Sequence, residues 1–277
     1  MRRSRTTLML FGLLLTGLIL AGCSSLSKST DIALVPQITG GEPDGNDHPY
    51  VGLIVYYDAE GRPLTRCTGT LVAPKVVLTA AHCMFNPVPD SAAVWFDPAI
   101  ASSAELRNPR LADATGTPVP HPNFQPVIPD SHDVGVILLK KPIRLDTYGA
   151  LPELGLLDRL TNSSDLTVRS VGYGLQSIVP ELQADLVRYT AISTIINLDS
   201  ANNDGYNVQT SNKAGKGDGT GGQCFGDSGA PVFYPENSNV VIGVSSFGFS
   251  PNCTGNNDFS YRMDIADSQN FIGQFLD

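Results

Sequence analysis

Along most of the chain, hydrophobic positions fall into short runs separated by glycine, proline, asparagine and aspartate. Five of these runs have the length of a strand, and several are rich in β-branched residues: 51–57, 76–78, 134–139, 166–168 and 240–244. Short apolar runs bounded by turn residues are typical of β-strands. The 20 prolines and 27 glycines interrupt any long helical period. The pattern therefore predicts an all-β fold, either a sandwich or a pair of barrels.

The end of the chain departs from this pattern. Residues 265–276 place Ile265, Phe271, Ile272 and Phe275 partly on one face of a helix, which predicts a short terminal helix.

The first residues have the composition of an export signal. Three arginines precede an apolar run from Leu8 to Leu20, which is shorter than the ~20 residues needed to cross a bilayer. The run ends in LAGC, which resembles the bacterial lipobox. We therefore expect residues 1–22 to be a lipoprotein signal peptide, Cys23 to be lipidated, and 23–37 to be a tether or propeptide. The alternative is a plain secretory signal with an incidental cysteine.

Charge and cysteine content narrow the classes of function. The formal net charge is −9 and becomes −12 when the three arginines of the leader are removed. No basic patch stands out, so no nucleic-acid partner is expected. The exported chain keeps Cys67, Cys83, Cys224 and Cys253. These allow three pairings, and composition alone leaves both disulfides and free thiols open.

The segment GGQCFGDSGAP at 221–231 places Ser228 between two glycines and an aspartate. Such a cluster is by itself ordinary turn chemistry, and a nucleophilic serine also needs a base and a group that orients the base. All four histidines, at positions 48, 82, 121 and 132, precede Ser228. This order excludes the α/β-hydrolase arrangement and leaves His…Asp…Ser and Asp…His…Ser open.

The histidines differ in their sequence surroundings. His48 and His121 each precede proline, which favours extended or turn conformations and a surface role. His132 is next to Asp133, and neighbouring strand residues point to opposite faces, so the two are poor partners. His82 lies in LTAAHC, directly after an apolar strand.

Three blocks of the sequence together resemble the signatures of the chymotrypsin/trypsin-like serine proteases. They are CTGTLVAPKVVLTAAHC (67–83), HDVGVILL (132–139) and CFGDSGAP (224–231), in that family's order, with further echoes in ITGG (38–41), HPNF (121–124), VGYG (171–174) and SFG (246–248). The similarity runs from about Ile38 to the C-terminus. It implies two six-stranded antiparallel β-barrels packed together, with the active site between them and a short C-terminal helix. The N-terminal barrel would cover about 38–145 and the C-terminal barrel about 146–277.

The resemblance also implies a serine endopeptidase. In that reading Ser228 is the nucleophile, His82 is the general base and then acid, and Asp133 orients His82. The N–H groups of Gly226 and Ser228 would form the oxyanion hole. Neither a metal nor a cofactor is expected. The alternative is a non-catalytic protease homologue that acts as a binding or adhesion module, and an esterase on this fold is a minor third option.

Further expectations from the resemblance concern disulfides and substrate binding. Cys67 would pair with Cys83, and Cys224 with Cys253. The expected substrate-binding residues are Gly222, Gln223, Phe225, Ser246, Phe247 and Gly248. Gly222 stands at the pocket floor where a trypsin-type enzyme carries aspartate, so an uncharged pocket is expected. Phe259 would lie near the opposite wall.

The last expectations concern activation and location. A new amino terminus at Ile38 would pair with the carboxylate of Asp227, although Gln37 replaces the Arg or Lys that usually precedes the activating cut. We expect a monomer that acts on proteins or peptides and is exported as a lipoprotein through Cys23. It would sit at the outer membrane, in the periplasm or on the cell surface, and a cut after Gln37 would release it.

Overall fold

The computed structural model describes residues 38, 41–160, 166–176, 184–211, 221–251, 253 and 258–276. The predicted signal peptide (1–22), the lipidated Cys23 and the tether (23–37) lie outside the described residues. Within the part that is described, no helix has the length and apolar character required to cross a membrane.

The first half of the chain forms a closed barrel of six antiparallel strands in the order β2–β3–β4–β7–β6–β5. Its strands are β2 (Val51–Tyr57), β3 (Pro63–Ala73), β4 (Val76–Thr79), β5 (Ser91–Trp95), β6 (Ala114–Pro120) and β7 (Gly135–Leu139). Three short 3-10 helices, Ala81–Met84, Glu105–Arg107 and Pro109–Leu111, lie between these strands.

The second half forms another closed antiparallel barrel. Five strands follow one another in the order β9–β10–β13–β12–β11, and β8 closes the barrel because it pairs with both β11 and β9. Its strands are β8 (Thr167–Gly172), β9 (Tyr189–Asn197), β10 (Asn207–Thr210), β11 (Pro231–Phe233), β12 (Val241–Gly248) and β13 (Asp258–Arg262). A 3-10 helix (Leu157–Arg159) precedes this barrel and an α-helix, α1 (Ala266–Gly273), follows it. The expected pair of six-stranded barrels is confirmed.

Two details differ from the sequence-based boundaries. A short strand β1 (Glu42–Pro43) pairs with β9 of the second barrel, whereas the sequence placed this region with the first barrel. The terminal helix begins at Ala266 rather than Ile265, since Ile265 has an extended backbone with ψ of 152°. Phe271 and Ile272 of this helix are buried, as the apolar face predicted.

The position of strand β2 between two core clusters explains why its sequence is apolar throughout. Successive side chains of a strand point to opposite faces. Ile54 and Tyr56 pack into the largest core cluster, whereas Leu53, Val55 and Tyr57 pack with Trp95 in a second cluster. Both faces of β2 are therefore buried, which a run of alternating polar residues would not permit.

The two barrels share a buried cation, Arg188, whose side chain is fully inaccessible to solvent. Its Nε donates to the equally buried Asp44 carboxylate at 2.8 Å. Its other nitrogens donate to the carbonyls of Val51 and Phe96, each at 3.0 Å, and of Gly45 at 2.8 Å. Asp44 and Gly45 lie in the segment before β2, and Val51 and Phe96 belong to the first barrel. Arg188, which directly precedes β9, therefore connects the second barrel to that segment and to the first barrel.

Candidate active site

His82 and Asp133 meet because β4 and β7 are antiparallel neighbours. Thr79 at the end of β4 pairs with Gly135 at the start of β7. The residues that follow β4 and those that precede β7 therefore lie at the same rim of the first barrel. His82 stands there on the 3-10 helix Ala81–Met84, and a disulfide joins its neighbour Cys83 to Cys67 of β3.

The imidazole of His82 is held by the carboxylate of Asp133. Nδ1 of His82 lies 2.8 Å from Oδ2 of Asp133, and the backbone N–H of His82 donates to Oδ1 at 2.8 Å. The hydroxyl of Ser246 donates to Oδ2 at 2.5 Å. A carboxylate only accepts hydrogen bonds, so Nδ1 carries the proton and Nε2 of a neutral ring is left as an acceptor.

Burial and charge act in opposite directions on this pair. Burial alone would lower the pKa of His82, but the charge and hydrogen bond of Asp133 outweigh it and raise that pKa. Burial alone would raise the pKa of Asp133, but the charge of His82 and the hydrogen bonds from His82 and Ser246 lower it. Asp133 is therefore ionised at neutral pH. The sequence assigned Ser246 only to substrate binding, and nothing in its local pattern indicates the contact with Asp133.

Ser228 lies on a loop of the second barrel between Cys224 and β11. The loop turns through two glycines with left-handed backbones, Gly226 at φ 99° and Gly229 at φ 78°. The N–H of Asp227 donates to the carbonyl of Cys224 at 3.0 Å, and the N–H of Gly229 donates to Ser245 at 2.9 Å. In the described part of the chain the N–H groups of Gly226 and Ser228 have no acceptor.

The loop that carries Ser228 is docked onto Thr68 of the first barrel. The N–H of Thr68 donates to the carbonyl of Ser228 at 2.9 Å, and its hydroxyl donates to the carbonyl of Gly226 at 3.2 Å. These bonds fix the position of the loop relative to the rim that carries His82. Sequence reasoning missed Thr68, because a threonine in a strand has no distinctive signal.

The carboxylate of Asp227 points away from the cleft into the second barrel and is fully buried. Its oxygens accept the N–H groups of Gly174 at 2.8 Å and Cys224 at 3.0 Å. A Cβ at either Gly172 or Gly174 would collide with this carboxylate. Burial raises the pKa of Asp227 to about 7, although those N–H donors and the positive charge of Arg66 favour the ionised form.

Ile38, the expected partner of Asp227 after a cut, is also fully buried. It packs with Tyr189 and Ala191 of β9, and Tyr189 is the direct β-pair partner of Gly172. Ile38 thus packs on the strand that pairs with Gly172, a glycine that the Asp227 carboxylate approaches closely.

A cleft beside Ser228 contains most of the expected substrate-binding residues. Its lining includes Gln223, Phe225, Ser246, Phe247 and Gly248, together with Cys224 and Cys253, which form the second disulfide. Gly222 is buried and is not among the lining residues. Phe259 is buried behind the wall and stacks on Phe247, with ring centroids 4.7 Å apart.

The expectation of an uncharged pocket is wrong, because the cleft is also lined by Asp258. This residue is 6% exposed, and its Oδ2 accepts the N–H of Gln223 at 2.9 Å. Asp258 reaches the cleft because β13 pairs with β12, with Asp258 opposite Gly248. Its position depends on that long-range pairing, which the sequence does not specify.

The expected surface roles of His48 and His121 are also not observed. His48 is 9% exposed and contacts the Asp44 carboxylate, and its ring stacks on Phe233. His121 is 7% exposed. In both cases tertiary packing covers the side chain of the residue before proline.

The close approach of the Ser228 loop to the first barrel yields a testable prediction at Gly229. A Cβ there would lie 2.5 Å from the carbonyl oxygen of Thr68 and 2.8 Å from the amide nitrogen of Ala80, and would collide with the hydroxyl of Thr79. We expect Gly229→Ala to displace the loop and lower peptidase activity by at least about 100-fold, as misplacement by ~1 Å does. Activity and thermal unfolding should be measured together.

Gly205→Ala is the matched control for this substitution. Gly205 has almost the same backbone, φ 77°, but no atom lies within 4 Å of its Cβ position. It carries the same conformational penalty without the collision, so activity should be retained. Equal losses of activity in the two variants would show that backbone strain, and not docking, is responsible.

Comparison with known proteins places this geometry in a family. The family model "Trypsin" matches residues 38–272. A trypsin of Saccharopolyspora erythraea is 32% identical over 216 residues, which are 76% of this chain and 86% of the relative. Brachyurin of Leptuca pugilator is 29% identical over 199 residues, covering 68% of this chain and 77% of the relative.

Solved structures share the fold. "HL collagenase" superposes with a TM-score of 0.66 at 21% identity, over 86% of this chain and 97% of that one. Human heparin binding protein gives a TM-score of 0.61 at 22% identity, over 86% and 96%. The chain belongs to the trypsin family of serine proteases.

Proposed function

We propose that the protein is an endopeptidase that hydrolyses peptide bonds with Ser228 as nucleophile, His82 as general base and acid, and Asp133 as the group that orients His82. The observation that supports it most is the arrangement of His82. Nδ1 of His82 donates its proton to Oδ2 of Asp133 over an N···O distance of 2.8 Å, which leaves Nε2 basic. Ser228 lines the adjacent cleft.

The chemistry follows from these positions. A serine hydroxyl attacks a carbonyl only when a neutral imidazole accepts its proton, and the buried carboxylate stabilises the imidazolium that forms. His82 then donates that proton to the leaving amine, which yields an acyl-enzyme. Water, activated by the same imidazole, hydrolyses the ester and restores Ser228.

The N–H groups of Gly226 and Ser228 are assigned to the oxyanion hole. The neighbouring N–H groups of Asp227, Gly229 and Ala230 donate to backbone carbonyls of the protein. The N–H groups of Gly226 and Ser228 have no such acceptor within the described residues and are thus available for a developing negative charge. One such donor is typically worth ~3–4 kcal/mol in the transition state.

The first prediction separates a protease from a binding module, a distinction the shared fold leaves open. Ser228→Ala should reduce casein hydrolysis by several orders of magnitude without changing the unfolding temperature. Asp133→Asn should lose about 10⁴-fold through the wrong imidazole tautomer. A fluorophosphonate should label the wild type and not Ser228→Ala.

The pH profile provides a second readout of the same assignment. Since Asp133 raises the pKa of His82, kcat/KM should fall with decreasing pH as His82 becomes protonated. An unlabelled wild-type protein with no casein hydrolysis at any pH would favour the binding module. Hydrolysis of a simple ester without casein hydrolysis would favour an esterase.

The composition of the cleft suggests which side chain precedes the scissile bond. Phe225 and Phe247 line the cleft, and the ring of Phe247 stacks on the buried Phe259 behind it, with centroids 4.7 Å apart. Such a surface favours apolar side chains, since burial of apolar area drives binding. Asp258 supplies a negative charge at low exposure, which a Lys or Arg side chain neutralises. We therefore infer dual acceptance of apolar and basic residues.

The second prediction tests the role of Asp258. Asp258→Asn should lower kcat/KM for a lysyl or arginyl reporter by at least about tenfold, because a buried cation then lacks its counter-charge. The rate on an apolar reporter should change little. Asp146→Asn, which removes an exposed charge outside this cleft, should leave both rates unchanged. An unaltered ratio in Asp258→Asn would contradict the assignment.

We further propose that the active form begins at Ile38 and that its amino group pairs with Asp227. In the chain described here the buried Asp227 carboxyl has a pKa of about 7 because its charge is incompletely compensated. An ammonium inserted beside it would lower that pKa and fix the loop from Asp227 to Ser228. The cut would also detach the protease from a lipid on Cys23, since residues 24–37 contain no cysteine.

The third prediction compares chains 38–277 and 37–277, each produced with a free amino terminus. The chain beginning at Ile38 should be much more active, because the additional Gln37 displaces the amino group. Apart from the loss at acid pH that protonation of His82 causes, its activity should fall only at alkaline pH, where the paired amine loses the proton that pairing stabilises.

The stability of the two chains should also differ in its dependence on pH. The buried carboxyl of Asp227 has a pKa above its unfolded value of ~3.9 and therefore binds more protons when the chain is folded. The free energy of unfolding of the longer chain should then decrease as the pH rises from 4 to 7. The chain beginning at Ile38 should not show this loss. Equal activity and equal pH profiles for the two chains would contradict the activation proposal.

A further inference from the structure

A cluster of two histidines and a carboxylate lies outside the proposed catalytic site. His121 follows β6, His132 lies shortly before β7, and Asp267 is in the first turn of α1. The N–H of His121 donates to the carbonyl of Val134 at 2.9 Å, which closes the loop and brings its two histidines together. Two positions of one loop and the first turn of α1, which is distant in sequence, therefore meet at one point.

The ligand atoms of this cluster converge. Nδ1 of His132 is 2.9 Å from Oδ2 of Asp267, and Nε2 of His121 is 3.5 Å from Oδ1 of Asp267. One ligand atom from each residue lies within 4.8 Å of the others. Two ligands each ~2.0–2.1 Å from a tetrahedral zinc ion are about 3.3 Å apart. The observed distances thus bracket those of a zinc site, and modest side-chain movements suffice to close it.

The two imidazole rings lie side by side. They are stacked in parallel, with centroids 5.0 Å apart and an interplanar angle of 4°. The ring of His121 also packs edge-on against Phe271 of α1 at 4.9 Å. Because an imidazole nitrogen binds a metal ion in the plane of its ring, the rings must rotate out of this parallel arrangement to share one ion.

His132 adopts a backbone conformation that is unusual for a residue other than glycine, with φ 50°. A left-handed conformation of this kind has an energetic cost and is retained where surrounding interactions require it. Here it accompanies a reversal in direction, so that His132 faces Asp267 while the next residue, Asp133, faces His82.

A second layer of polar groups surrounds the three residues. Oδ2 of Asp130 lies 3.7 Å from Nε2 of His132. The hydroxyl of Tyr261 is 3.1 Å from a carboxylate oxygen of both Asp130 and Asp267. Metal-bound histidines commonly donate their other ring N–H to a carboxylate, which raises the basicity of the ligand. Asp130 is placed for that role toward His132.

We propose that His121, His132 and Asp267 bind a divalent transition metal ion, with zinc as the best match to two imidazoles and a carboxylate. The carboxylates of Asp130 and Asp267 balance the charge of the ion. Imidazole ligands disfavour calcium and magnesium, which prefer oxygen. The ion would fasten the 121–134 loop to α1.

Metal binding changes the protons of both rings. In a neutral His132 ring the single proton lies on Nδ1, which faces Asp267, and it must move to Nε2, which faces Asp130, when Nδ1 binds the ion. Nδ1 of His121 accepts the N–H of Asn123 at 3.2 Å in the metal-free protein, so its proton is on Nε2. The ring must move that proton to Nδ1 when Nε2 binds the ion, and this long hydrogen bond is given up.

The test measures Zn²⁺ binding to the chelator-treated full chain by calorimetry, in a Ser228→Ala background that prevents self-digestion. We expect one zinc ion per chain and a higher unfolding temperature. Ca²⁺ should not bind at the same concentration. Co²⁺ should produce the intense visible absorption of a tetrahedral site, which reports coordination without a mutation.

His132→Asn is the diagnostic variant, because asparagine tolerates a left-handed backbone but is a poor zinc ligand. We expect its zinc affinity to fall by more than the ~10–100-fold seen when an outer partner of a metal site is lost. Asp267→Asn should behave likewise. His82→Asn, which removes the imidazole of the proposed catalytic site, should bind zinc as the parent does.

The following results would overturn the proposal. They are the absence of stoichiometric zinc binding by the parent chain, unchanged affinity in both His132→Asn and Asp267→Asn, and loss of binding in His82→Asn. A Co²⁺ complex without tetrahedral absorption would also contradict it.

Discussion

The site depends on one contact, the docking of the Ser228 loop onto the first barrel. His82 and Asp133 belong to the rim of that barrel, whereas Ser228 belongs to the other, so neither barrel contains the whole set. Thr68 joins them, because its N–H binds the carbonyl of Ser228 and its hydroxyl binds that of Gly226. The contact requires backbone against backbone, and only a residue without Cβ at position 229 permits that approach. The position of the Ser228 loop is thus set by close contact between backbone groups, supported by one side-chain hydroxyl.

Much of the fold was predictable from the sequence for a physical reason, whereas the candidate site residues came from the family resemblance of three sequence blocks. Strands with buried faces need apolar runs, and loops that carry a histidine or a serine at a precise position need particular neighbours, so these features leave local patterns. What the sequence did not reveal depends on register between distant strands. Asp258 enters the cleft only because β13 pairs with β12 beside an irregular register between Ser245 and Phe247. The contact of Ser246 with Asp133 spans 113 positions and arises between barrels. The pairing of β1 with β9 likewise follows from tertiary packing.

Three buried charges show how burial is used in different ways. Arg188 directs its donors to Asp44, to three carbonyls and to the hydroxyl of Tyr173. Asp133 accepts from two groups of His82 and from Ser246, and its pKa is lowered. Asp227 accepts two backbone N–H groups, and its pKa is raised to about 7 by burial. Fully compensated charges fix the structure, since removal of a partner is costly. The charge of Asp227 is incompletely compensated, so a new partner would change its environment more than that of Arg188 or Asp133. Asp227 also directly precedes Ser228 in the sequence.

The dipeptide His132–Asp133 connects the proposed catalytic site with the histidine cluster. Neighbouring residues of an extended strand point to opposite faces, and the left-handed backbone of His132 adds a turn, closed by the N–H of Val134 donating to the carbonyl of His132 at 2.8 Å. Asp133 therefore faces His82, and His132 faces α1. Any interaction that restrains His132 also restrains the backbone from which the Asp133 carboxylate projects, without contact with substrate. Because the orientation of the His82 imidazole follows that carboxylate through two hydrogen bonds, it is mechanically linked to the packing of the C-terminal helix.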